Sequence, residues 1–204
     1  MALSGKVGAV FVQTADAPVS FSEEATNGNL DRRRFTVADP NIRYWDKASP
    51  VTVKLNNISV TTGFSLEHCG GVVVFELPLE LDDVVTVSGK HFTVAQHGGF
   101  FNWSADLELD TSEVTTFQSG GWKESQPTVK GFSASAESYW GDGEFFSRLG
   151  KEVVIALYTD ATASKQRYEG FGIISSDGIE SAVDDIVNEA IEIQGTGPLY
   201  YREG

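Results

Sequence analysis

Apolar and polar residues alternate with a period of two along most of this chain, the pattern of strands that bury one face. The clearest run is FNWSADLELD at 101–110. Trp103, Ala105, Leu107 and Leu109 fall on one face, while Asn102, Ser104, Asp106, Glu108 and Asp110 fall on the other. The first set is expected to be buried and the second wet and acidic. Further strands are expected in VGAVFVQT (7–14), VTVKL (51–55), GVVVFEL (71–77) and DVVTVSG (83–89), all rich in the β-branched residues that suit a pleated surface. The series continues with KGFSASAESYW (130–140), EVVIALYTD (152–160), RYEGFGIIS (167–175) and NEAIEIQG (188–195).

The segments between them carry turn and cap signals. PLELDD joins two of the strands as a hairpin-like connection, with Pro78 stopping the first. In GDGEFFSRLGK (141–151), Asp142 as N-cap, the paired Phe145 and Phe146, Leu149, and Gly150 as the stop predict the one short helix. SFSEEATNGNLDRRRF (20–35), SEVTTFQSGGWKESQPTV (112–129) and DATASKQR (160–167) read as polar loops. The first two are long enough to suggest a functional or partner-binding role, and Asn27-Gly28 suggests a tight turn inside the first. Many strands and one helix imply a mainly β chain, a β-sandwich or barrel with one short flanking α-helix.

A chain of 204 residues and 22.1 kDa accommodates one domain or two small ones and buries about 70% of its unfolded surface. The single cysteine, Cys69, forms no internal disulfide and fits a reducing compartment. MALSGKVGAVFVQTAD lacks the pattern of a secretory leader, and no run reaches transmembrane length, so a soluble protein is expected. Charge changes the picture most. A formal net charge of −14 is opposite to what a general nucleic-acid binder needs. It serves solubility, or a surface that must not hold DNA.

Candidate chemistry is sparse. Gly195-Thr196-Gly197 is followed by Pro198 and six further residues, so no helix stands behind it to receive a phosphate. His68, Cys69, His91 and His97 lack metal-site spacing, because adjacent residues on a strand point to opposite faces. Ser133 in GFSAS lacks the second glycine of a nucleophile elbow. The acidic pairs Glu23-Glu24, Asp82-Asp83 and Asp184-Asp185 are sequence neighbours, which suits solvated faces or turns better than paired catalytic carboxylates. No nucleophile, base and orienter converge, so no catalytic residue, cofactor or metal is assigned. DRRRF (31–35) is either a solvated loop or a docking point for a carboxylate-rich neighbour. Trp122 lies in a loop, where a large aromatic packs beneath the loop or anchors an interface.

Several of these pieces occur together in a known order. DTSEVTTFQSGGWKESQPTVKGFSASAESYW followed by YEGFGIISSDGIESAVDDIVNEAIEIQGTGPLY resembles the major tail protein of long-tailed bacteriophages, over roughly 96–204. The segment 1–95, an N-terminal β-rich portion, is similar to the front part of some of these proteins. The resemblance implies a structural virion protein, assembled in the host cytoplasm, whose β-sandwich subunits form hexameric rings stacked around a channel. DNA passes through that channel without specific binding, a tape-measure protein fills it beforehand, tail-end proteins cap it, and no membrane is involved. It favours a non-contractile tail and carries no catalytic residues.

On that basis Asp106, Glu108 and Asp110 are candidates to line the channel. Arg32, Arg33, Arg34, Trp122, Leu199, Tyr200 and Tyr201 are candidates for inter-subunit contacts. Gly195 and Gly197 would end the last strand, leaving 199–201 free to pack on a neighbour. Six copies at −14 each would carry −84, a field that repels phosphates and lets DNA slide. The competing reading is a monomeric β-sandwich that binds a sugar or a protein through Trp45 and Trp122.

Overall fold

The computed structural model describes residues 8–141, 143–162, 165–181, 183 and 186–203. It is mainly β, with two curled sheets and one short α-helix. The chain divides into two compact units. One holds the described residues of 1–10 together with 97–153 and 157–204; the other holds 11–96 and 154–156.

The second unit is built on seven strands: β2 (Val19–Gly28), β3 (Arg34–Val37), β4 (Thr52–Leu55), β5 (Ile58–Val60), β6 (Phe64–Glu67), β7 (Val72–Phe75) and β8 (Val85–His91). Their order in the sheet is β5-β4-β8-β2-β3-β7-β6. Its core gathers Phe21, Phe35, Ile42, Trp45, Val53, Val73, Phe75 and Val87, with Trp45 at 0% exposure. A short ribbon in the same unit pairs β1 (Ala9–Gln13) at residues 11–13 with β9 (Val94–Gln96).

Three expectations fail in this unit. The 20–35 segment is largely strand. β2 buries little beyond Phe21, so it has no alternation to read, and it is held by backbone pairing to β3 and β8 on its two sides. Asn27 and Gly28 pair with Thr36 and Phe35 inside β2, and the turn falls after them, where Asn29 N–H donates to the Arg34 carbonyl at 2.9 Å. β7 and β8 form no hairpin, because β2 and β3 lie between them. A 3-10 turn at Pro40–Ile42, capped by the Asp39 carboxylate, adds a helical element that periodicity did not reveal.

The first unit carries β10 (Phe100–Glu113), β11 (Ser125–Tyr139), α1 (Glu144–Ser147), the two ends of β12 (Glu152–Tyr158), β13 (Arg167–Glu180), β14 (Asn188–Gly195) and β15 (Tyr200–Arg202). The strand order is β10-β11-β14-β13-β12, with β15 on β13. One sheet face is apolar: Ala134 and Ala136 of β11 lie level with Ile193 and Ile191 of β14, Phe132 continues the same face of β11, and all are buried. Phe145 of α1 is buried against the rings of His97 and Phe100. α1 starts at Gly143 (φ 68°), which makes no side-chain cap, and Arg148 Nη2 reaches back to Glu144 at 2.7 Å. The expected cap Asp142 and the pair Asp184-Asp185 lie outside the described residues. Among the described residues, no helix is long and apolar enough to cross a membrane.

Candidate functional site

β10 and β11 pair from Phe100↔Ser138 to Glu113↔Ser125, but β14 supports β11 only from Ser133 to Tyr139. Residues 107–113 and 125–131 therefore project as a two-stranded ribbon, much of the 112–129 segment that reads as loop. Both faces of such a ribbon meet solvent, so its strand character leaves no alternation in the sequence. Leu107 and Leu109, expected in the core, are 67% and 50% exposed. The alternation that predicts their burial is present, but no layer of the chain lies over that stretch. Val129 is also exposed, and the ribbon ends in a Gly120-Gly121 turn (φ 60° and 86°) that presents Phe117 and Trp122, the latter 80% exposed. Lys123 beside it makes only a surface pair with Glu113 at 3.4 Å.

The opposite face of the sheet is polar. Ser104 and Asp106 of β10, Ser133 and Ser135 of β11, Ser175 of β13, and Glu192 and Gln194 of β14 line a shallow depression. Ser104 and Ser135 hydroxyls share a hydrogen bond at 2.9 Å. Asp106, Glu108 and Asp110 are all solvent-exposed on β10. Among the described residues that line it there is no lysine, arginine or aromatic side chain, so these offer an anionic backbone no ion pair and no stacking platform.

At the end of the sheet away from the ribbon tip lies a cleft of about 470 Å³, lined by Phe101, Glu137, Ile179, Glu180, Asn188 and Glu189, among others. Glu189 is only 3% exposed, and its Oε1 meets no hydrogen-bond donor. Both Asp177 carboxylate oxygens are likewise buried without a donor. Burial, followed by the neighbouring Asp177 carboxylate, raises the Glu189 pKa above its ordinary value, while His97 and a hydrogen bond from Ser138 pull it down. Glu189 thus lies on the sheet face opposite Glu137 and Glu180, and one sequence signal marks it: it alternates in phase with Ile191 and Ile193, a carboxylate on an apolar face.

The remaining singled-out residues are engaged within the chain. Arg32 Nη2 donates to the Glu80 and Asp83 carbonyls at 2.7 and 2.8 Å, with its guanidinium over the Phe35 ring. Arg33 donates to the Glu76 carbonyl, and Arg34 pairs with Glu67 at 2.6 Å. Arg32 and Arg33 thus clasp the connection after β7, and Arg34 ties β3 to β6. At the C-terminal end, residues 199–201 are not free. Tyr200 and Tyr201 belong to β15, paired with β13, and Leu199 packs near Gly170. Arg202 and Arg167 both bind the fully buried Glu169, at 3.1 and 2.7 Å. The Tyr201 ring stays half exposed beside Tyr168. Gly195 does end β14, followed by a bend at 196–197. Cys69 is buried and bridges Tyr44, His91 bridges Trp45, and burial lowers the pKa of the half-buried His68. Among the described residues, no group of three or more His, Cys, Asp or Glu side chains is arranged to hold a metal ion.

No protein-family model matches this chain, and no curated protein matches it. Among solved structures, it is similar to a chain in the tail of an empty GTA particle computed with helical refinement and C6 symmetry. That match has 16% identity and a TM-score of 0.44, covering 54% of this chain and 87% of the other. It is also similar to a chain in the virion of a native gene transfer agent particle, at 16% identity and a TM-score of 0.43, covering 53% and 88%.

Proposed function

We propose that this chain is a structural subunit of a phage-type tail tube: copies close into hexameric rings, and the rings stack around an acidic channel that conducts DNA without binding it. The carrying observation is the β10–β11 ribbon, with Leu107, Leu109, Val129, Phe117 and Trp122 exposed and no third strand beneath it. An isolated two-stranded ribbon is marginal in water. Burying each such side chain stabilises by about 1.5–3 kcal/mol, so a neighbouring copy is the natural cover. The ordered motifs of 96–204 support the same reading.

In this reading Asp106, Glu108 and Asp110 face the channel, where their charge repels phosphates. Trp122 and the half-exposed Tyr201 contact neighbouring copies, and Leu199 and Tyr200 act from their paired position beside them. Arg32, Arg33 and Arg34 hold the surface that ring contacts use. A tape-measure protein and tail-end proteins are the remaining partners, and the virion is the place of action. The ligand-binding alternative loses half of its aromatic platform, because Trp45 is buried.

Negative-stain electron microscopy of the purified protein across concentrations tests the proposal. Rings or tubes with an open lumen are expected from the wild type. Leu109→Asp combined with Val129→Asp should leave a folded monomer. Compact monomers at every concentration, with tail-initiation proteins also present, would refute it. Asp106 on the outer surface of an assembled tube would refute the channel assignment alone.

A further inference from the structure

The acidic cleft at the base of the sheet and the Trp122-Lys123 tip of the ribbon lie at opposite ends of the same pair of strands. Eleven residues separate the pair Asn102↔Glu137, at the cleft, from Glu113↔Ser125, at the tip, a span of roughly 36 Å at the rise of a strand. The cleft combines the carboxylates of Glu137 and Glu180, both exposed, with the rings of Phe101 and Tyr139, whose centroids lie 5.0 Å apart. The tip presents the complementary chemistry: an ammonium group and an indole, both solvent-facing.

Resting on the self-assembly proposed above, we infer that the cleft of one copy receives the Trp122-Lys123 tip of the next, Lys123 Nζ among the carboxylates and the Trp122 indole against Phe101 and Tyr139. The two surfaces differ, so the contact is heterologous and propagates along the ribbon direction instead of closing a pair. The Glu113 partner of Lys123 does not compete strongly, since an exposed pair of this kind contributes little. Of the cleft carboxylates, Glu180 is the suitable one to alter, because it is exposed and paired with nothing in the core.

The test is a charge swap in the full chain, read as the critical concentration for assembly by sedimentation. Lys123→Glu and Glu180→Lys should each raise it at least about tenfold, the effect of opposing like charges in a desolvated contact. The double variant, and an equimolar mixture of the two single variants, should return to within about threefold of wild type. Independently, Lys123→Cys with Glu180→Cys should yield disulfide-linked chains on oxidation; the native Cys69 is buried and does not interfere. Wild-type assembly that is unaffected by Lys123→Glu, or that gives no 123–180 cross-link, overturns this contact and leaves self-assembly standing. Failure of the wild type to assemble at all overturns both.

Discussion

Gly195→Ala should destabilise the first unit through one ring. A Cβ at Gly195 would lie 2.4 Å from both Cδ1 and Cε1 of Phe132 and 2.8 Å from its Cγ, well inside contact distance. The same ring approaches Gly170, where an added Cβ would meet Cζ at 3.0 Å. Phe132 is thus laid across the backbones of β13 and β14, and Gly195 is a glycine because an aromatic face covers it. Its φ is not positive, so an alanine there strains packing and not the backbone. Overpacking of this kind costs about 1–3 kcal/mol, while replacing glycine recovers about 0.4–1 kcal/mol of unfolded-chain entropy. The net loss should be about 1–2 kcal/mol. Phe132→Ala alone should cost about 3–5 kcal/mol. In that background Gly195→Ala should be neutral or stabilising, since the clash is gone, giving a coupling of about 1–3 kcal/mol in the double-mutant cycle. Urea denaturation, with hydrogen exchange followed in 130–139 and 188–195, reads both the global and the local effect. An equal cost for Gly195→Ala in the two backgrounds would refute the ring-on-glycine account.

Two other outcomes follow from buried groups. The raised pKa of Glu189 means that the folded chain binds more protons than the unfolded chain above pH 4.5. Stability from this group is therefore fully present below 4.5, falls as pH rises through the folded pKa, and levels off above it. Glu189→Gln should flatten that slope and raise Tm at neutral pH, because an amide in the same buried position carries no charge beside the Asp177 carboxylate; an unchanged Tm–pH profile would sink the account of Glu189 as a buried titrating group. Trp45→Ala should cost the second unit about 3–5 kcal/mol by removing a fully buried indole that stacks on Phe21 at 6.0 Å, with a loss below about 1 kcal/mol in hydrogen exchange of 72–75 and 85–91 arguing against its central place.

What the sequence determined by itself was everything expressed in local periodicity. The alternation in 188–195 marks β14 to the residue, and the continuous apolar run of β12 marks a strand buried on both faces. The β class, the single short helix at 144–147 and the acidic face of β10 were equally legible. The tertiary structure decided what lies above each face. Leu107 and Leu109 have the same phase as Ala105, yet nothing covers them, because burial depends on a second layer and not on alternation. β2 and the outer ribbon are strands whose pairing is carried by backbone hydrogen bonds, which side-chain polarity does not encode. β-Bulges in β10 and β13, between Phe100 and Asn102 and between Ile174 and Ser176, change which residues face each other. A one-residue shift of register moves side chains to the opposite face. It is the second bulge that brings Asp177 level with Ile191, one step along the apolar face from Glu189.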